Sequence, residues 1–175
     1  MQFELSEVTA KLIHLNARGE IHGEDNVPAG DLKIKVDLGN DCLAMFHPAL
    51  KSMLYHFDQS ADQDLVDEAQ KQDPEYKPHL RFPNIPALKP TDECTGASVT
   101  IHQGVPGSGK NKADICLDLC NIDNFVIEPK QGGTCSITFR IQAHPDEKAS
   151  GKLWALIGSN IMLSIVPPAA EVINE

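Results

Sequence analysis

The sequence predicts a mainly β protein, either an antiparallel β-sandwich or a flattened barrel, with one or two short helices. Two observations support this class. Apolar and polar residues alternate over short segments that glycine- and proline-containing turns separate, and helical periodicity is confined to short stretches. With 175 residues the chain has the size of one ordinary domain, so we expect a single β-rich domain over residues 1–175.

Two strands are predicted near the N-terminus. Residues 8–16 form the first, and turn-forming residues then favour a turn and a loop over residues 16–30. From residue 32 to residue 38 apolar side chains alternate with Lys33, Lys35 and Asp37, which is typical of a strand with one buried face.

One helix and one acidic segment follow. The period changes at residue 47, and Pro48 suits a first helical position, so the pattern predicts a packing helix over residues 47–57. Residues 58–78 carry seven acidic side chains and few apolar ones, which indicates an exposed, mobile excursion. Its charge is interpreted as a solvated loop, with a lure for a basic partner as the alternative. The predicted apolar face of the helix consists of Leu50, Met53, Leu54 and Phe57.

The second half of the chain is predicted to be rich in strands. Residues 134–142 have the most regular alternation, and Phe125 and Trp154 are expected in the core. A hairpin is predicted for the last two segments, although residues 152–157 also fit one helical turn. The predicted strands are residues 98–103, 113–120, 124–128, 134–142, 153–157 and 161–166.

Residues 104–110 resemble a phosphate-binding P-loop, but their surroundings do not. Such a loop leads into a helix and places Ser or Thr directly after its lysine, whereas Asn111 follows Lys110 here. The next residues alternate like a strand. We therefore expect a hairpin loop between two strands and no nucleotide hydrolysis.

Charge and cysteine content limit the possible partners. The net charge of −10 repels polyphosphates unless basic residues gather on one face, so a protein partner is the default expectation. The N-terminus lacks the pattern of a signal peptide, which favours a cytoplasmic protein with reduced, buried thiols among its five cysteines. Cys116 and Cys120 are about 13 Å apart on a strand. One zinc cannot join them, so both are predicted to be packing residues.

No residue pattern in the chain establishes a catalytic or cofactor site, so we expect a non-enzymatic protein without a cofactor. His22, Glu24 and Asp25 could hold a metal, but a solvated turn is the simpler interpretation. His102 could meet Asp114 across a hairpin, again with a structural role expected. A Ser-His-Asp site is compatible with the composition, although no nucleophile-elbow motif has the right context.

Three basic residues of the second half are the candidate contacts for an anionic ligand or partner: Lys110, Lys112 and Arg140. Binding of single-stranded nucleic acid would additionally need aromatic side chains for stacking. Phe125 and Trp154 are the available aromatic residues, and both are expected to be buried.

The order of several short motifs resembles a largely uncharacterised family of tailed-phage and prophage proteins. The motifs are His22–Leu32, Phe46–Leu50, Leu80–Pro83, Gly132–Thr134, Phe139–Gln142 and Gly151–Leu153. The resemblance implies an early phage gene cluster with recombination or replication functions, and action in the cytoplasm of an infected bacterium. It implies no catalytic residues.

The expected function is that of a non-enzymatic, phage-derived binding protein that acts on host defence or nucleic-acid metabolism through a protein partner. One alternative is a single-stranded DNA-binding accessory in recombination or replication. A metal-dependent hydrolase built on His22, Glu24 and Asp25 is a further alternative. Unpaired edge strands of a sandwich would also favour a homo-oligomer.

Overall fold

The structure is a computed structural model that describes residues 1–22, 25–57, 77–103 and 113–169. A 3-10 helix, Asn40–Met45, follows the second strand. The other elements, in chain order, are β1 (Leu5–His22), β2 (Asp25–Gly39), α1 (Leu50–Leu54), β3 (Tyr55–His56), β4 (His79–Leu80), β5 (Cys94–His102), β6 (Ile115–Lys130), β7 (Thr134–Ala143), α2 (Glu147–Ala155) and β8 (Asn160–Val166).

Six of the strands close an antiparallel barrel in the order β1-β2-β7-β6-β5-β8. The last strand completes the closure, because β8 pairs with β1 on one side and with β5 on the other. The predicted mainly β class is confirmed. Of the two predicted arrangements the chain adopts a closed barrel and not a sandwich.

Alternating apolar residues fill the interior of the barrel. Leu32, Ile34 and Val36 of β2 point inward, as their period-2 pattern predicts, and Ile137, Phe139 and Ile141 of β7 do the same. Four phenylalanine rings of this core pack on one another, with centroid distances of 5.0 to 6.1 Å: Phe3, Phe46, Phe125 and Phe139.

The predicted turn and loop over residues 16–30 are wrong. There β1 and β2 continue as a long two-stranded ribbon, which we call the arm, in which Asn16 pairs with Asp31 and the backbone of His22 with that of Asp25. In the described part of the chain, β2 pairs with β7 only from Gly30 onward, so the arm extends beyond the barrel wall. Cross-strand hydrogen bonding outweighs the turn preferences of Asn16 and Gly19.

The predicted helix over residues 47–57 is much shorter in the structure. Helix α1 spans Leu50–Leu54, and Met53 of the predicted apolar face is 59% exposed. The chain leaves the helix because Tyr55 pairs with Leu80 in a small second sheet and buries its ring completely. This tertiary contact, and not the local helical periodicity, determines where the helix ends.

The two strands predicted over residues 113–120 and 124–128 are one strand, β6. Leu119 and Asn124 have left-handed φ values of 53°, and the pairing register of β6 shifts near both residues. Such bulges interrupt the alternation of side chains while the strand continues. Regular alternation would place Leu119 on the buried face with Leu117. Instead Leu119 is 82% exposed and Cys120 is buried.

The hairpin predicted for residues 153–157 and 161–166 is also wrong. The first segment belongs to helix α2, which begins where the Asp146 carboxylate accepts a hydrogen bond of 2.6 Å from the Ala149 N–H. Leu153 faces the core and Trp154 is 57% exposed, so the expectation of a buried Trp154 is wrong and that of a buried Phe125 is confirmed. Cys116, predicted to pack inside, is exposed on β6.

The predicted hairpin around the P-loop-like segment is supported by its flanks. Ile101 of β5 pairs with Ile115 of β6, so a strand and not a helix follows the segment. Residues 104–112 themselves, and residues 58–76 of the acidic excursion predicted over residues 58–78, lie outside the described residues. Among the helices of the described segments, none has the length and apolarity needed to span a membrane.

Candidate anion-binding face

Outward-facing basic residues gather on adjacent strands of the barrel, although the chain is acidic overall. We call this surface the basic face and define it by Lys11 and His14 of β1, Lys33 and Lys35 of β2, and Arg140 of β7. These side chains share a surface because the register pairs Lys11 with Lys35, His14 with Lys33, and Lys33 with Arg140.

Each of these cross-strand pairs brings together groups that carry, or can carry, positive charge. Like charges directly opposite one another destabilise an antiparallel sheet. With a net charge of −10, the chain has ten more acidic than basic residues, so acidic partners for these positions are not scarce. The repeated cationic pairing therefore indicates a surface suited to an anionic ligand.

The carboxylates on the same surface are already engaged in ion pairs. Glu128 lies 3.1 Å from Lys35 Nζ, and Asp31 lies 3.1 Å from Arg18. Asp37 lies 3.1 Å from Lys130 Nζ. Among the described residues, Lys11 and Lys33 have no carboxylate within ion-pair distance, so their charges are available to a ligand.

A cavity of about 500 Å³ lies within the basic face. His14, Lys33 and Arg140 line it together with Thr138, Val126 and the ion-paired carboxylates of Asp31 and Glu128. We call this cavity the groove. A second cavity of about 480 Å³ also has Val126 and Asn124 in its lining, and it is lined by Lys89 and by the carboxylates of Asp92, Glu93 and Asp123. The groove has room for a side chain and its neighbouring backbone, which a flat strand surface does not offer.

Arg140 is the only predicted contact residue that the structure describes, since Lys110 and Lys112 lie outside the described residues. Its guanidinium donates to both oxygens of Asp123, at 2.8 and 2.6 Å, and these hydrogen bonds raise the pKa of Arg140. The bulge at Asn124 places Asp123 for this contact. The Asp123 carboxylate compensates the charge of Arg140, which lines the groove. The role of Arg140 as a contact for an anionic ligand stays a prediction.

The contact residues predicted from the sequence lie in the second half of the chain and do not include Lys11 and Lys33. The alternation in residues 32–38 does indicate that Lys33 and Lys35 point outward. Alternation does not identify their neighbours on β1 and β7, because the fold sets the register between the strands.

The other predicted contact, between His102 and Asp114, is present. His102 Nδ1 lies 3.5 Å from Asp114 Oδ2, across the β5–β6 hairpin. Of the proposed metal ligands, Glu24 is outside the described residues, and the structure describes only the backbones of His22 and Asp25. Within the described residues, no group of three or more His, Cys, Asp or Glu side chains is arranged to hold a metal ion.

Comparison with protein-family models, with curated proteins and with solved structures gives no match to this chain. We therefore infer the function from the surface chemistry of the barrel.

Asp37, at one edge of this surface, should make the stability of the protein depend on pH. Asp37 accepts hydrogen bonds from the Ser136 hydroxyl and the Lys130 ammonium group, and these lower its pKa below the ordinary 3.8. A lowered folded-state pKa stabilises the protein at neutral pH, and this contribution disappears as the pH falls through the folded-state value. Replacing Asp37 with Asn should thus destabilise the protein slightly at neutral pH and have no effect in strong acid.

Urea unfolding of both proteins, from neutral pH to below pH about 3, measures this difference. The effect should be small because the Asp37 side chain is 59% exposed. A difference between wild type and variant that stays constant across the pH range would contradict the prediction.

Proposed function

We propose that this chain is a binding protein whose basic face holds an acidic segment of a protein partner. The observation that carries the proposal is the cationic cross-strand pairing of Lys11 with Lys35, and of Lys33 with both His14 and Arg140, in an acidic chain. Glu128 and Asp123 already compensate Lys35 and Arg140, so carboxylates of a partner would compensate the charges of Lys11 and Lys33. Binding of this kind requires no chemical step.

The groove favours a polypeptide over a single-stranded nucleic acid. Stacking of bases requires exposed aromatic rings, and Phe139, which lines the cavity, is only 1% exposed. Phe125 beside the second cavity is equally buried. The described part of the basic face offers charge and aliphatic surface such as Val126, which suits acidic and apolar side chains of an extended peptide.

The phage resemblance adds an expectation about the partner. It would be a component of host defence or of nucleic-acid metabolism in the cytoplasm of an infected bacterium. This origin, a direct role in DNA recombination, the absence of catalysis by the basic face and the formation of a homo-oligomer stay predictions.

A charge reversal tests the proposal. A fluorescein-labelled polyglutamate peptide should bind the wild-type protein at low salt, and Lys33→Glu should weaken that binding by about tenfold or more, because it places a like charge in the groove. Lys148→Glu changes the net charge equally on exposed helix α2 and should leave binding nearly unchanged. Fluorescence anisotropy measures both affinities.

The same titration with a labelled oligothymidylate separates the alternatives. Tighter binding of the oligonucleotide than of polyglutamate would overturn the proposal in favour of the single-stranded DNA-binding alternative. Equal losses in Lys33→Glu and Lys148→Glu would show that only overall charge matters, which also contradicts a specific face.

A further inference from the structure

A serine, a histidine and an aspartate line up on the outer surface of the barrel, away from the cavity of the basic face. Ser164 Oγ of β8 lies 2.8 Å from Nε2 of His102 on β5. On the other side of the same ring, Nδ1 lies 3.5 Å from Asp114 Oδ2. This is the order of contacts that activates a hydroxyl nucleophile: nucleophile, base, and a third group that orients the base.

The environment of the aspartate suits the orienting role. The Asp114 side chain is 2% exposed and that of His102 is 17% exposed, so the imidazole lies between a buried carboxylate and a half-buried hydroxyl. Asp114 Oδ1 also accepts a hydrogen bond of 2.8 Å from the backbone N–H of Gln103. This bond fixes the carboxylate against the first ring nitrogen.

A bulge in β1 aims a backbone donor at the serine. The pairing of β1 with β8 shifts register between Leu5 and Val8, and Glu7 in this shift has a left-handed φ of 45°. Its N–H consequently donates to Ser164 Oγ at 2.9 Å. A non-glycine residue at positive φ is uncommon, and such strained positions are concentrated at functional sites.

One tautomer of His102 makes the Ser164 hydroxyl a donor. Glu7 N–H donates to Ser164 Oγ, and when the ring proton of His102 is on Nδ1, the hydroxyl proton of Ser164 points at Nε2. In this tautomer the Nδ1–H group faces Asp114 Oδ2, which lies 3.5 Å from the nitrogen. In this form the arrangement prepares Ser164 to lose its proton to His102.

We propose that Ser164 is a nucleophile for acyl transfer from small carboxylic esters, with His102 as general base and Asp114 as its positioning residue. Oγ forms a bond to the ester carbonyl carbon while its proton moves to His102 Nε2. The bond from that carbon to the leaving oxygen then breaks, and His102 returns the proton to the leaving group. In the second half, water forms a bond to the acyl carbon while His102 Nε2 takes a proton from that water. The bond from the acyl carbon to Ser164 Oγ then breaks, and His102 returns the proton to Oγ as the carboxylic acid leaves.

The neighbouring Ser98 provides an internal comparison. It lies on the same outer surface of β5, but its hydroxyl donates directly to Asp118 at 3.1 Å with no imidazole between them. A carboxylate contact without histidine orders the hydroxyl and provides no general base in proton-transfer range. Ser98 is therefore the matched control for Ser164.

p-Nitrophenyl acetate is the probe that tests the site. We expect a burst of nitrophenolate and one acetyl group on Ser164 by peptide mass spectrometry. Ser164→Ala should abolish that modification, His102→Gln should slow it by about 10²- to 10⁴-fold, and Ser98→Ala should leave it unchanged. Asp114→Asn should lower the maximal acylation rate at least about tenfold while the half-saturating ester concentration stays the same.

Absence of acetyl-Ser164 in the wild type would overturn the proposal. So would a modification rate that His102→Gln does not change, because the serine would then react without the base. Circular dichroism and melting of each variant separate loss of chemistry from loss of fold: a folded His102→Gln protein that reacts at the wild-type rate refutes the assignment.

Discussion

Replacing Phe125 with alanine is expected to lower the free energy of unfolding by about 3–5 kcal/mol. The ring is 1% exposed and contacts Phe3 edge-on at a centroid distance of 5.0 Å and Phe46 at 5.2 Å. Alanine would leave a cavity among rings that the closed barrel holds in place. The edge-to-face contacts would be lost in addition to the buried area.

Urea denaturation followed by tryptophan fluorescence measures this loss. Phe82→Ala is the control, because Phe82 is 52% exposed and its removal should change stability by less than about 0.5 kcal/mol. Similar losses in the two variants would contradict the placement of Phe125 in the core.

Replacing Tyr55 with phenylalanine removes only a hydroxyl group, yet it is expected to lower the free energy of unfolding by about 1–3 kcal/mol. The Tyr55 hydroxyl accepts a hydrogen bond from the Lys130 N–H at 3.0 Å, and it lies 3.0 Å from the carbonyl oxygens of both Lys130 and Thr134. The residue is fully buried, and burial raises the pKa of its phenol. Phenylalanine would leave the turn between β6 and β7 with unsatisfied backbone groups.

Thermal unfolding by circular dichroism tests this prediction. Trp154→Phe also removes a polar group from an aromatic residue, but Trp154 is 57% exposed, so this variant should lower the unfolding midpoint less than Tyr55→Phe does. A Tyr55→Phe midpoint equal to that of the wild type would show that the hydroxyl contributes nothing to the link between β3 and the β6–β7 turn.

Strands with regular alternation were predictable from the sequence. Residues 32–38 and 134–142 became parts of β2 and β7 with the predicted inward faces, since a half-buried strand leaves a period of two in the sequence. In β6 the bulges at Leu119 and Asn124 interrupted that period, and one strand resembled two. The sequence favoured a hairpin over residues 153–166, with one helical turn over residues 152–157 as the alternative, whereas in the structure α2 begins earlier, at the Asp146 cap.

The candidate sites depended on contacts that a single sequence does not encode. His102 and Asp114 flank one hairpin, so their contact could be predicted. Ser164 joins them from β8 because the barrel closes, and Lys33 meets Arg140 through the β2–β7 register. Periodicity predicts which face a side chain occupies, whereas register decides its neighbour on the next strand.

The pairing of β1 with β8 has a consequence for synthesis of the chain. Leu5 pairs with Ile165, so the first strand cannot complete its hydrogen bonding until residue 165 has left the ribosome. At about 5–20 residues per second, synthesis of the residues between Leu5 and Ile165 takes roughly 10 to 30 seconds, and until then β1 lacks its partner β8 and exposes unpaired backbone groups. Such long-range closure also makes folding slow, on the order of milliseconds to seconds. The nascent chain is thus a better target for chaperones and proteases than the finished barrel.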